Sequence, residues 1–135
     1  MKEIKLEVIT PSKKALNEEV LAVTLPGTVG SFQVLYNHAP LISTLEIGVM
    51  KVITTDNTEE FYSISGGTAE VLNNRVLVLA ESIEARDEID VNRAEKAKER
   101  AKERLSSHDK SVDEARAEAA LKRAVNRLKL VEKKV

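Results

Sequence analysis

The chain has no cysteine, which excludes disulfides and thiol catalysis. It has no apolar run near the roughly 18–20 residues that a membrane-spanning helix needs. Its start, Met1-Lys2-Glu3-Ile4, passes directly into alternating sequence. It does not show the charged, apolar and small-residue succession of a secretory signal. A cytoplasmic location is the expectation. Histidine is scarce too, with only His38 and His108, and two isolated histidines without cysteine do not make a metal site. No Gly-x-Ser-x-Gly elbow occurs. Gly27 and Gly30 lack the Gly-Lys-Ser/Thr ending of a phosphate loop. An enzyme needs a constellation of reactive groups, and none is assembled, so a non-catalytic role is expected.

What is present falls into two halves. All five glycines, all three prolines and all four aromatics lie within the first 67 residues. Such a shift marks a change of architecture. The first half alternates with period two: Ile4, Leu6 and Val8 oppose Lys5 and Glu7, and Leu21, Val23 and Leu25 repeat the pattern up to Pro26-Gly27. A run from Val52 turns at Asp56-Asn57 and returns through Phe61, and Val71-Leu72 turns at Asn73-Asn74 and returns as Val76–Leu79. Asp-Asn and Asn-Asn pairs tolerate the positive φ of tight hairpins. Gly66-Gly67 in a strand context predicts a bulge or a close backbone approach. About eight to ten short strands are expected between residues 3 and 85, forming an antiparallel β-sandwich.

The second half has helical spacing. Ala94, Ala97, Ala101 and Leu105 make one stripe, and Ala117, Ala120, Ala124, Leu128 and Val131 make another. Ser106–Lys110 breaks the pattern, and Ser111 with Glu114 has the spacing of a capping box. Asp90 stands where the first helix needs an N-cap. An antiparallel two-helix hairpin follows, with domains at residues 1–87 and 88–135. The seam is mostly alanine, and each buried CH₂ contributes only about 0.8 kcal/mol. Such a hairpin can dock, detach or straighten. It equally fits a plain helical pair.

Charge divides at the same place. Residues 1–90 carry 7 basic and 14 acidic groups, whereas residues 91–135 carry 14 basic and 8 acidic groups. The basic half reads either as a solvated helical surface that docks on its own acidic body or as a face for an acidic partner. Nucleic acid is not expected, because Glu interleaves the basic residues and no aromatic platform accompanies them. In an antiparallel register Arg93 falls opposite Arg123, and Arg127 lies one turn beyond opposite Ile89. Arg100 is two turns from Arg93. Guanidinium forks so placed suit an anion such as phosphate, or they fan outward to Glu partners and solvent.

At this point the residues resemble a known family. Ser65-Gly66-Gly67, Glu70-Val71 and Val76–Glu81, then His38-Ala39-Pro40-Leu41, resemble the sandwich of bacterial F-type ATP synthase epsilon subunits. Ile89-Asp90-Val91-Asn92-Arg93-Ala94 is similar to the family's Ile/Leu-Asp-x-x-Arg-Ala motif. Ala120–Ala124 and Asn126–Leu128 resemble its last helix. The stretch before His38 departs from the family's Gly-Ile-Leu-Pro-Gly-like pattern, reading Gln33-Val34-Leu35-Tyr36-Asn37.

The resemblance implies a non-catalytic central-stalk subunit that helps couple proton or sodium flow to rotation. Its sandwich would bind the gamma subunit and rest on the c-ring, with Ser31, Phe32 and His38 as contact candidates. Its hairpin would inhibit ATP hydrolysis by extending toward acidic segments of the alpha and beta subunits. ATP would be a regulatory ligand and not a required cofactor, held by Ile89, Asp90, Arg93, Ala94, Arg100, Arg123, Arg127 and Glu84. The implied location is peripheral, on the cytoplasmic face of the bacterial plasma membrane, with a plastid source left open. The alternative is a free-standing sandwich and helical-arm adaptor without nucleotide binding. Co-purification with a membrane-bound ATPase separates the two.

Overall fold

The computed structural model describes residues 2–107, 109 and 112–132. The chain divides into two units, Met1–Ala85 and Arg86–Val135, so the boundary falls two residues before the expected one. The first unit holds β1 (Ile4–Ile9), β2 (Lys14–Gly27), β3 (Gly30–Val34), β4 (Leu41–Thr54), β5 (Glu59–Leu72), β6 (Arg75–Ala80) and β7 (Ile83–Ala85). The second begins with a 3₁₀ turn (Arg86–Glu88) and continues as α1 (Val91–Ser106) and α2 (Glu114–Glu132).

The alternation in the sequence becomes inside and outside. Ile4, Leu6 and Val8 are buried to 1% exposure or less, while Lys5 and Glu7 on the opposite face are only partly covered. With Leu25, Met50, Val52, Ile64 and Val78 they form one core. Each such side chain contributes about 1.5–3 kcal/mol when fully buried, so the first unit has a strong apolar core.

Seven strands occur among the described residues, fewer than the eight to ten expected. The reason is length: β2, β4 and β5 each run 14 residues. Register shifts between Val20 and Ala22 and between Thr24 and Gly27 interrupt β2. A bulge of this kind bends a strand and swaps its faces, so one long strand reads as two short ones. Buried positions accordingly pass from Val20 and Ala22 to Val23 and Leu25. The pairing is also not wholly antiparallel. β1 pairs antiparallel with β2 but parallel with β6. These two pairings close the order β1-β6-β5-β4-β2 on itself and leave β3 and β7 at the margins. Closure removes the open edges on which sheets aggregate.

The expected turns are in place. Asn73 and Asn74 have φ of 49° and 62°, and Leu72 pairs with Arg75 across them, a two-residue hairpin. Asn57 has φ of 68° in the β4–β5 turn. Gly66-Gly67 lies where β5 changes neighbour, from β7 to β6. A Cβ on Gly67 would lie 1.9 Å from the Leu79 carbonyl oxygen, and its φ is 142°. Only glycine fits both demands.

In the second unit the buried residues are Ala94 and Ala101 on α1 and Ala117, Ala124, Leu128 and Leu130 on α2. The alanines are two turns apart on each helix, matching an antiparallel hairpin. Ala97, Leu105, Ala120 and Val131 are half-buried. Leu130 was not part of the predicted stripe. Asp113 caps α2 by accepting the Arg116 N–H at 3.2 Å. The predicted Ser111–Glu114 box involves Ser111, which lies outside the described residues.

Candidate functional site

The start of the hairpin is built by the chain's own short-range chemistry. The Asp90 backbone is extended (φ −87°, ψ 105°), and its Oδ1 accepts the Arg93 N–H at 3.1 Å. Its carbonyl accepts the Ala94 N–H at 3.0 Å. The side chain thereby satisfies one orphan donor of the first turn, and the carbonyl accepts the first regular bond of the helix. Ala94 is 2% exposed and belongs to the seam. Ile89 is half-buried and closes the 3₁₀ turn by donating its N–H to the Arg86 carbonyl at 3.3 Å. In the Ile-Asp-x-x-Arg-Ala motif, three of the four named residues therefore have structural work. Arg93 alone points its charge into solvent.

The arginines separate into different environments. Arg123 is half-buried and lines a recess of about 490 Å³ with Arg104, Asp113 and Arg116, floored by Ala117 and Ala120. Arg100 is exposed and lines another groove with Asn92, Glu95, Lys96, Glu99 and Glu103 along α1. Neither recess holds both Arg100 and Arg123. Arg127 is half-buried one turn beyond Arg123. Glu84 belongs to β7 in the first unit, opposite Ser63 of β5.

Sequence reasoning missed three features of the hairpin. Arg86 donates its Nε–H to the Leu130 carbonyl at 2.9 Å, fastening the 3₁₀ turn to the last turn of α2, where orphan carbonyls need donors. A contact across 44 positions leaves no local signal. Arg104 and Arg116 were also overlooked. The seven-residue spacing of Arg116 and Arg123, which places them on one helix face, was a legible signal.

In the first unit, Ser31 is exposed on β3. Phe32 pairs with Leu25, and its ring carbons lie 3.0–3.1 Å from where a Gly27 Cβ would be; its ring is committed to packing. His38 is half-buried, its Nδ1 lying 2.6 Å from the Ala39 carbonyl oxygen, and its N–H donates to Leu35. The Asn37 N–H donates to Asn74 Oδ1 at 2.6 Å, which ties this loop to the β5–β6 turn. The exposed apolar residues nearby were not foreseen. Val29 is fully exposed at the β2–β3 turn and Ile42 is 77% exposed on β4. Thr28 anchors that turn to β4 through Thr44, at 2.6 Å between hydroxyls and 3.0 Å between backbones.

Ion pairs on the sheet surface include Lys14–Glu7 at 2.7 Å and Lys51–Glu59 at 3.3 Å. Lys14 holds the Glu7 carboxyl below its ordinary value. Burial, with Glu60 adding repulsion, pushes Glu18 up, and its Oε1 is buried without a partner. Among the described residues no three His, Asp or Glu side chains converge as a metal site. No helix among them is long and apolar enough to cross a membrane.

Comparison with known proteins gives this arrangement a context. The family described as "ATP synthase, Delta/Epsilon chain, beta-sandwich domain" matches residues 3–86. The one described as "ATP synthase, Delta/Epsilon chain, long alpha-helix domain" matches residues 87–132. The chain is 46% identical over 129 residues to an ATP synthase epsilon chain of Nitratidesulfovibrio vulgaris, covering 96% of each. It is 41% identical over 130 residues to that of Desulforamulus reducens, covering 95% of this chain and 96% of the relative. Among solved structures, a chain of the Euglena gracilis mitochondrial ATP synthase OSCP/F1/c-ring assembly is similar, with TM-score 0.86 and 26% identity, covering 96% of this chain and 82% of that one. A chain of the Tetrahymena thermophila mitochondrial ATP synthase central stalk/c-ring shares the fold, with TM-score 0.64 at 16% identity over 96% of this chain and 97% of that one. Closed sandwich, alanine hairpin and capped Ile-Asp-x-x-Arg-Ala turn thus coincide with matches along nearly the whole chain, which belongs to the family of ATP synthase epsilon subunits, components of the central stalk.

Proposed function

We propose that this subunit serves the rotor of an F-type ATP synthase in two ways: its sandwich seats on the gamma subunit and c-ring, and its hairpin is a releasable brake on ATP hydrolysis. It does no chemistry itself. It helps transmit rotation driven by ion flow, and it stays at the cytoplasmic face of the bacterial plasma membrane through the complex. The turn bearing Val29 and Ser31, with Ile42 beside it, offers the exposed, partly apolar surface for such seating. Phe32 packs against the Gly27 position at the base of that turn, and His38, in the β3–β4 loop, is the remaining contact candidate.

The observation that carries the brake is the small size of the hairpin's buried side chains. Ala94, Ala101, Ala117 and Ala124 each bury one methyl group, worth about 3 kcal/mol together at about 0.8 kcal/mol each. Leu128 and Leu130 add larger contacts only near the end of α2. A pair so lightly joined opens at small cost. Its 14 basic groups against 8 acidic ones then favour acidic segments of the alpha and beta subunits.

ATP selects the closed pair in this reading. Asp90 and Ala94 are occupied with capping and packing, so they shape the site. Arg93, Arg123 and Arg127 supply the charge for phosphate, with Ile89 and Arg100 completing the set within the second unit. A ligand shifts such a balance only through its differential affinity for the two states. Isothermal titration of the full chain with ATP tests this. Saturable heat that weakens in Arg123→Ala is the expected result. No saturable heat at millimolar ATP, or unchanged affinity in Arg123→Ala, removes nucleotide control.

A further inference from the structure

We propose that the recess between Arg104, Arg116 and Arg123 is a phosphate-binding site in its own right, taking a polyphosphate anion at the loop end of the hairpin. Arg116 and Arg123 are on one face of α2, about 10 Å apart along the axis at 1.5 Å per residue. Arg104 joins them from α1, and all three line one recess of about 490 Å³. Ala117, which is buried, and Ala120 and Val112, which are half-buried, complete its lining.

The electrostatics are one-sided. Among the described residues none of these three guanidinium groups has an ion pair or a side-chain hydrogen bond. The one carboxylate on the recess, Asp113, already accepts the Arg116 backbone N–H as the cap of α2. Three positive charges line the recess against the single negative charge of Asp113, an excess of two, although α1 carries Glu95, Glu99 and Glu103. Those carboxylates lie along the other groove with Arg100. Planar guanidinium forks match phosphate oxygens two bonds at a time. A multiply charged, compact anion relieves the repulsion that the fold leaves standing.

Arg104 and Arg116 lie outside the residue set assigned to ATP above, and only Arg123 is shared. The two readings therefore fail separately. The test is isothermal titration of the full chain with inorganic tripolyphosphate at low salt, for the native sequence, Arg104→Ala/Arg116→Ala and Lys129→Ala, an exposed α2 position outside both residue sets. The native chain gives saturable heat. The double variant, which has lost two charged donors, weakens it by at least about tenfold, while Lys129→Ala leaves it unchanged. Both substitutions are at exposed helix positions, and an unchanged far-ultraviolet spectrum confirms folding. A parallel titration with ATP identifies the source of the phosphate. Affinity lost in the double variant makes the nucleotide's tail the occupant, and affinity retained makes it a free polyphosphate. Absence of heat with tripolyphosphate, equal affinity in the double variant, or binding of a polyglutamate peptide in its place would overturn the proposal.

Discussion

Replacing Asp90 with alanine separates the mechanics of the hairpin from those of the sandwich. Asp90 Oδ1 holds the Arg93 N–H at 3.1 Å and caps the 16 residues of α1. Losing an N-cap of this kind costs about 1 kcal/mol, which is about a fivefold change in an opening equilibrium. The seam cannot absorb that loss, because the buried groups on α1 are the methyls of Ala94 and Ala101. If residues 86–135 open as one unit, the cost appears in α2 as well as α1. Hydrogen exchange of the full chain reads this directly. Amides of both helices should exchange about fivefold faster, whereas those of β4 and β5, which exchange only when the larger core opens, keep their rates. Asp90→Asn caps equally well and should restore the native rates. Faster exchange confined to the first turn of α1, or an equal acceleration in β5, would refute the reasoning.

Other substitutions probe other parts. Gly67→Ala must displace the Leu79 carbonyl and adopt a φ of 142°; it should cost on the order of 3 kcal/mol, read as a lowered urea midpoint, and a shift under about 1 kcal/mol would contradict the close approach. Leu130→Ala should cost about 2–5 kcal/mol locally and accelerate hairpin exchange more than any single seam alanine changed to glycine. For Glu18, burial raises the folded-state pKa above its unfolded value, so the folded state holds the proton more tightly. Its contribution therefore favours the fold at low pH and is lost as pH rises through the folded value. Glu18→Gln should raise the melting temperature at pH 7, with the gain shrinking toward pH 4; a gain independent of pH would exclude this origin.

Much of the fold was legible because its signals are local. The alternation of Ile4, Leu6 and Val8 sets the face of β1, Asn73-Asn74 sets a two-residue turn, and Asp90 sets the start of α1. The strand count was not legible, because a register shift inside β2 looks the same in sequence as the end of one strand and the start of another. The parallel pairing of β1 with β6 joins distant segments, and period-two alternation carries no information about which strand lies alongside. At the candidate site, helical spacing placed arginines on both helices, but it did not give which of them line one recess. A rotation of a fraction of a turn decides whether Arg100 or Arg104 shares a recess with Arg123. The bond from Arg86 to the Leu130 carbonyl depends on tertiary placement and had no signature.

The central claim is that a lightly joined, basic hairpin leaves its folded state to grip an acidic partner. The most direct measurement adds the full chain to a catalytic head stripped of its epsilon subunit and follows ATP hydrolysis while salt is raised from about 0.05 to 0.5 M, a range over which screening of exposed charges tightens severalfold. The account predicts suppression at low salt that fades as salt rises. Hydrolysis untouched by the chain, or suppressed equally at every salt concentration, would contradict it.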